Sequence, residues 1–301
     1  MLFPATNIFL QKISDDLFDQ KQISLSVLRL DTLHNVVCGN KLYKLQFFLQ
    51  NALQQASAGI VTFGGPYSNH LVAAAFACRE AGLKSVGIVR GERPEKLSHT
   101  LTACLEYGMQ LQFISRQDYD NKENPEFLQL LQSTFKNRQL VPEGGYHPMG
   151  AAGAALIMNL VPNDTSHICC AIGTATTVAG LLLGLKNNQQ IISVPVLKNM
   201  NDLEQRIAFL TNRSFTPQQF KIMPDYHFGG YAKKTTELIN FMNALYQKHQ
   251  LPTDFVYTGK MMFAIIDLIK KDFFPVGSQL VCIHTGGLQG NGSLQPGTLV
   301  F

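Results

Sequence analysis

The sequence predicts an α/β protein of two lobes, each built on a parallel sheet with helices on both faces. Three observations lead there. Short apolar runs that end in glycine alternate with helical segments along most of the chain, and strands that are apolar at nearly every position belong to sheets buried on both sides. The chain has 301 residues, long for one core and comfortable for two. Hydrophobic residues make up 46 % and charged residues 15 %, a globular composition with a large interior.

The elements follow in order. The opening MLFPATNIFLQKISDD has a short apolar run but neither a basic flank nor a small-residue cleavage site. No stretch of the chain reaches the about 18 apolar residues of a membrane span. A cytoplasmic protein with no membrane partner is expected. Residues 41–55 form a helix, with Asn40 as its N-cap and Gly39 in the preceding turn. AGIVTFGG reads as a strand, NHLVAAAFACREAGL as a helix, KSVGIVRG as a strand, HTLTACLEYG as a helix and MQLQFIS as a strand. HICCAIG then leads into the helical TVAGLLLGL, and QIISVPVL and QLVCIHTGG complete the strands. The polar stretches RGERPEKLSH and SRQDYDNKENPE are surface loops.

The net charge of +4 is spread along the chain without a Lys/Arg block, which argues against a nucleic-acid partner. The six cysteines are Cys38, Cys78, Cys104, Cys169, Cys170 and Cys282, with no C-x-x-C pair. They are expected to be buried, reduced thiols, and no metal site is expected.

Four strands end in a cluster of glycines or small hydroxyl residues: TFGGPYSN, VPEGGYHP, AIGTATT and IHTGGLQGNG. Ligands of open parallel sheets bind outside the carboxyl ends of the strands, so four such segments suggest a shared crevice. On a helical wheel, Leu42, Leu45, Phe48, Leu49, Ala52 and Leu53 form an apolar arc that includes Lys41. Lys44 falls among Gln46, Gln50, Asn51, Gln54 and Gln55. A lysine on that arc can snorkel to solvent, or it can be a desolvated amine able to form a Schiff base with a carbonyl. Gly173, Thr174, Ala175, Thr176 and Thr177 lie between a strand and a helix. Such a loop can hold a phosphate or merely cap the helix. Neither G-x-x-x-x-G-K-[ST] nor G-x-G-x-x-G occurs.

GNKLYKL, GGPYSNH, AIGTATTVAGL, VYTGKMM and IHTGG, in this order, resemble the pyridoxal-phosphate enzymes of the 1-aminocyclopropane-1-carboxylate (ACC) deaminase and D-cysteine desulfhydrase family, over about Arg29 to Gly287. That resemblance implies the tryptophan-synthase-β-like fold (fold type II), pyridoxal 5'-phosphate as cofactor, a small amino acid as substrate and a homodimer. It implies a larger cofactor-binding domain from residues 1–50 and 153–301, with a smaller domain from 51–152. It makes Lys41 the Schiff-base lysine, with Lys44 beside it. Ser68 lies next to the substrate carboxylate as a catalytic proton-transfer group, Asn69 binds the cofactor's ring hydroxyl, and Gly173 to Thr177 bind its phosphate. Tyr257 handles a substrate proton, and Tyr231 and His70 join the substrate side.

Read singly, the same residues have plainer roles. Ser68 and Asn69 cap a helix, Tyr257 is a core aromatic, and His284 and Thr285 end a strand. Where ACC deaminases carry a glutamate facing the pyridine nitrogen and an apolar residue, this chain has Thr258 and Thr285, like the desulfhydrases. A carboxylate there would keep the ring protonated and strengthen it as an electron sink. Expelling thiolate demands less of that sink than opening a cyclopropane. Tyr43 stands where the family usually has arginine, and Pro66-Tyr67 and the tail GGLQGNGSLQPG also depart. The expected activity is β-elimination from D-cysteine, giving pyruvate, ammonia and sulfide. The alternatives are ACC deamination, and non-catalytic binding of pyridoxal phosphate, an amino acid, or a sugar or nucleotide.

Overall fold

The computed structural model describes residues 7–34 and 39–301. Met1 to Thr6, and with them part of the N-terminal reading, lie outside the described residues, as does Cys38. Among the described residues ten strands run in chain order: β1 (Leu10–Ile13), β2 (Ser24–Arg29), β3 (Gly59–Gly64), β4 (Lys84–Arg90), β5 (Met109–Ile114), β6 (Arg138–Val141), β7 (His167–Ile172), β8 (Gln190–Pro195), β9 (Phe220–Ile222) and β10 (Gln279–His284). They form a six-stranded sheet, β1-β2-β10-β7-β8-β9, and a four-stranded sheet, β5-β4-β3-β6. Every pairing is parallel except β1 with β2.

Side chains alternate across a strand, and β7 shows how both faces are covered. Ile168, Cys170 and Ile172 join a core with Val178, Leu181 and Leu182 of the Thr176–Leu183 helix. Cys169 and Ala171 face the opposite way, toward Met261 and Ile265 of the Thr258–Lys270 helix. In the smaller sheet, Val61, Phe63, Val86 and Ile88 pack on Tyr119 and Leu131. Ile60 and Val89 face the core shared with the helices between the sheets. The five described cysteines are free and buried, and burial pushes the thiols of Cys78, Cys104 and Cys170 up to about 12.

Two local expectations change. Asn40 is the first residue of the Asn40–Gln54 helix, and Gly39 takes the N-cap position. Gly39 has φ +88°, and a Cβ there would stand 2.0 Å from Thr285 O, so only glycine fits. More important, the helix is covered on two sides. Its wheel-polar side meets the Pro148–Ala155 helix, whose sequence PMGAAGAA permits backbone contact. A Cβ on Gly153 would lie 2.1 Å from Tyr43 O. Lys44 is therefore 4 % exposed, and Lys41, expected to lean inward, is only half-buried.

Candidate active site

The four glycine- and hydroxyl-rich turns converge. They line one cleft of about 790 Å3 at the carboxyl ends of β3, β6, β7 and β10, between the two sheets. Both lysines of the Asn40–Gln54 helix reach it. Asn40 ties the first of them to the loop after β7. Lys41 Nζ donates to Asn40 Oδ1 at 2.7 Å, and Asn40 Nδ2 donates to Thr177 Oγ1 at 2.6 Å. The Asn40 backbone N–H donates to Thr285 O at 3.2 Å, which sets the helix start against the end of β10.

Lys44 is in a different condition. Desolvation, followed by the charge of Lys41, holds its pKa well below the ordinary lysine value. No carboxylate or hydrogen-bond acceptor pairs with its ammonium among the described residues. Beside it, burial and then the Lys44 and Lys41 charges push His70 down to about 3, so its ring is neutral. Thr62 Oγ1 donates to Val141 O at 2.8 Å. It must therefore accept from His70 Nε2, also at 2.8 Å, which leaves His70 Nδ1 a buried acceptor without a partner. Asn69 Oδ1 is likewise buried and unpaired. Ser68 caps the Asn69–Glu80 helix through Leu71 N at 3.4 Å and lines the cleft.

The loop after β7 turns through Ala175 at φ +66° into the Thr176–Leu183 helix. Thr174 Oγ1 and Thr176 Oγ1 are 3.1 Å apart. Its backbone N–H groups at a helix start, in the cleft that Lys44 also lines, form an anion cradle.

Across the cleft, the Tyr257 and Tyr231 rings meet edge to face with centroids 6.2 Å apart. Desolvation, with Tyr231 next in weight, raises Tyr257 well above the ordinary phenol value. It keeps its proton at neutral pH and can donate it. Two residues not singled out in the sequence hold this pair. Asp254 accepts from the backbone N–H groups of Val256, Tyr257 and Thr258 at 3.0, 2.8 and 2.9 Å, fixing where Tyr257 enters its helix. Lys260 is fully buried and donates to His227 O at 2.8 Å and Gly230 O at 2.7 Å. It thereby clamps the loop that presents Tyr231. The sequence signal for Asp254 was an Asp four residues before a helix start.

Thr258 and Thr285 part company. Thr285 lines the cleft. Thr258 sits behind the wall, fully buried. Its hydroxyl donates to Asp254 Oδ1 at 2.7 Å and accepts from Asp254 N at 2.8 Å, so the structure does not bring it to the cleft with the others. Behind Thr285, His284 Nε2 reaches Pro252 O at 2.8 Å, and its Nδ1 lies 3.2 Å from Asp31, which pairs with Arg29. Among the described residues no cluster of His, Cys, Asp or Glu could hold a metal, and no helix is long and apolar enough to cross a membrane.

A cradle for an anion, a half-buried lysine amine at its edge and unpaired polar atoms between them fit a phosphorylated aldehyde. The family model for pyridoxal-phosphate dependent enzymes matches residues 14–286. The chain belongs to that family. Its cofactor is pyridoxal phosphate: Lys44 and the Gly173–Thr177 loop suit the cofactor's phosphate, and the unpaired Asn69 Oδ1 suits its ring hydroxyl.

Among its relatives, a Pyrococcus abyssi protein provisionally named an ACC deaminase is 27 % identical over 299 residues, covering 94 % of this chain and 88 % of its own. D-cysteine desulfhydrase of Klebsiella pneumoniae is 26 % identical over 304 residues, covering 94 % and 92 %. A solved structure described as an ACC deaminase homologue superposes with a TM-score of 0.80 at 23 % identity, over 97 % of this chain and 92 % of its own. A hydrogen sulfide-producing enzyme of Fusobacterium nucleatum superposes with a TM-score of 0.67 at 15 % identity, over 95 % and 97 %. This pyridoxal-phosphate enzyme thus has the fold expected for it, down to parallel sheets flanked by helices.

Proposed function

We propose that this enzyme is a lyase of small amino acids, acting on D-cysteine by β-elimination to give pyruvate, ammonia and sulfide. One observation carries the choice over ACC deamination: both distinguishing positions are hydroxyls, with Thr258 in place of the glutamate and Thr285, just after β10, on the cleft wall. The nearby carboxylate, Asp254, has both oxygens taken up by three backbone N–H groups and Thr258. A cofactor ring beside a neutral hydroxyl is the weaker electron sink, adequate for expelling a thiolate. ACC deamination is the second reading, favoured by the names of several relatives.

Pyridoxal phosphate supplies stabilisation of the carbanion formed at the substrate's α-carbon. The protein's own groups do the rest. Lys41 would hold the cofactor covalently and exchange the α-proton. Lys44 and the Gly173–Thr177 loop would bind the phosphate, Asn69 the ring hydroxyl, and Thr285 the ring nitrogen. Ser68, Asn69 and His70 would face the substrate's carboxylate. Tyr257, protonated and backed by Tyr231, would deliver a proton on the opposite side. Positioned proton transfer of this kind is worth ~10² to 10⁴ in rate. We further take the molecule to be a cytoplasmic homodimer, with residues 51–152 as a smaller domain inserted in a larger one.

Release of a 2-oxo acid from D-cysteine by the cofactor-loaded protein, with Lys41→Ala as the blank, tests the reading. Pyruvate from the wild type alone supports it. A loaded protein that yields none from D-cysteine but 2-oxobutanoate from ACC would transfer the assignment to the second reading.

A further inference from the structure

We propose that Arg90 is a specificity residue of this site and binds a second anionic group, at the side-chain end of the substrate. The inference rests on the amino-acid lyase reading and extends it beyond D-cysteine to substrates whose side chain carries a carboxylate, sulfonate or phosphate.

Six cationic side chains line the cleft, and four already have a setting. Lys41 donates to Asn40, and Lys44 is buried beside it, each feeling the other's charge. Lys122 is 3.7 Å from Glu143, and Arg206 is 2.6 Å from Asp202. Arg90 and Lys198 remain. Among the described residues neither has a carboxylate or a hydrogen-bond acceptor within reach. An arginine that served the fold would be expected to have its planar fork occupied. The acid nearest in kind, Glu143, is already shared with Lys122 on the same wall.

Position supports the chemistry. Arg90 is the last residue of β4, which pairs with β3, the strand that delivers Ser68 and Asn69. Its Nη2 lies 3.9 Å from where a Cβ on Gly65 would stand, at the turn expected to face the α-carboxylate. Its charge also acts on the hydroxyls of Tyr119 and Tyr231, and Tyr231, from the opposite lobe, lines the same cleft. Lys198, on that lobe, backs onto Gly230, the residue before Tyr231. Both cations line the one cleft, so an anion held by Arg90 would leave the Ser68 helix start to the α-carboxylate.

Aspartate and asparagine share shape and α-carboxylate and differ in side-chain charge. Calorimetric titration of the cofactor-loaded protein with both enantiomers of each therefore isolates the second anion. One enantiomer of aspartate is expected to bind ~10-fold or more tightly than its asparagine counterpart. In Arg90→Met the ratio should fall to near one, and Arg90→Lys should retain part of it. Arg90 is exposed, so both variants are expected to fold, which thermal unfolding checks. Equal binding of aspartate and asparagine by the wild type would overturn the proposal. So would an Arg90→Met variant that weakens both equally, since Arg90 would then serve the α-carboxylate. A charge preference that is present without 2-oxo acid release from any amino acid would sink the lyase reading and leave the anion subsite standing.

Discussion

Two lysines are buried among the described residues, and they differ in what they lack. Lys260 is fully enclosed, yet its ammonium is met by the carbonyls of His227 and Gly230. Desolvation brings its pKa down to about 8, with Asp254 pulling the other way. Lys44 is almost as enclosed but has no such acceptors among the described residues, and its pKa is held well below normal by burial and by Lys41. A satisfied buried lysine belongs to the fold; an unsatisfied one anticipates a ligand. The same division separates Thr258, whose hydroxyl is used by Asp254, from Thr285 at the cleft wall.

The largest expected effect tests the ligand half of that contrast. Lys44→Met should weaken pyridoxal-phosphate binding by ~30- to 100-fold, the worth of a charge-assisted bond to a phosphate, about 2–3 kcal/mol. Stability of the cofactor-free protein should hold or rise, because a buried ammonium has been removed. Fluorescence titration with cofactor and thermal unfolding of the cofactor-free protein measure the two. A loss of stability with unchanged affinity would erase the distinction between the lysines.

Lys260→Met should do the reverse. It strands two carbonyls and should cost about 2 kcal/mol of stability whether or not cofactor is bound, read from urea unfolding of both forms. The pH dependence carries the same signature. The folded state releases the Lys260 proton near pH 8 and the unfolded chain near 10.5. Between those values the unfolded chain binds more protons, so stability rises with pH across that window and falls to a lower plateau below it. Lys260→Met should flatten that rise.

The threonine pair gives the smallest effect. Thr258→Val should cost about 1 kcal/mol, leaving Asp254 short of a donor, with the absorbance of bound cofactor unchanged. Thr285→Val should alter that absorbance and the activity with little change in stability. A Thr258→Val variant that shifted the cofactor spectrum would return Thr258 to the cofactor.

How much of this could be read from sequence depended on how many partners a segment has. The β3, β4, β7, β8 and β10 runs are apolar throughout because helices cover both faces, and they were legible. β1 and β9, at sheet edges, are short and partly exposed, and with β2 they left no such trace; β6, also at an edge, showed only through the VPEGG in which it ends. The wheel inverted Lys41 and Lys44 because it assumes one buried side, whereas the Pro148–Ala155 helix covers a second. The glycine turns gave the position of the cleft, and family order gave Lys41, Ser68, Asn69 and Tyr257. Arg90, Glu143 and Lys260 are single charges whose setting depends on contacts 30 or so residues away or on another strand, and no local pattern marks them.

The placement of β10 bears on how the molecule is made. The last strand of the chain lies between β2 and β7, near the middle of the six-stranded sheet. On the ribosome, β2 and β7 must wait with open hydrogen-bonding edges until residue 284 has emerged. The four-stranded sheet, drawn from 59–141 alone, can close long before. Synthesis therefore passes through a stage in which one lobe is complete and the other is an unfilled gap, and a chain released before its final strand would be prone to edge-to-edge association.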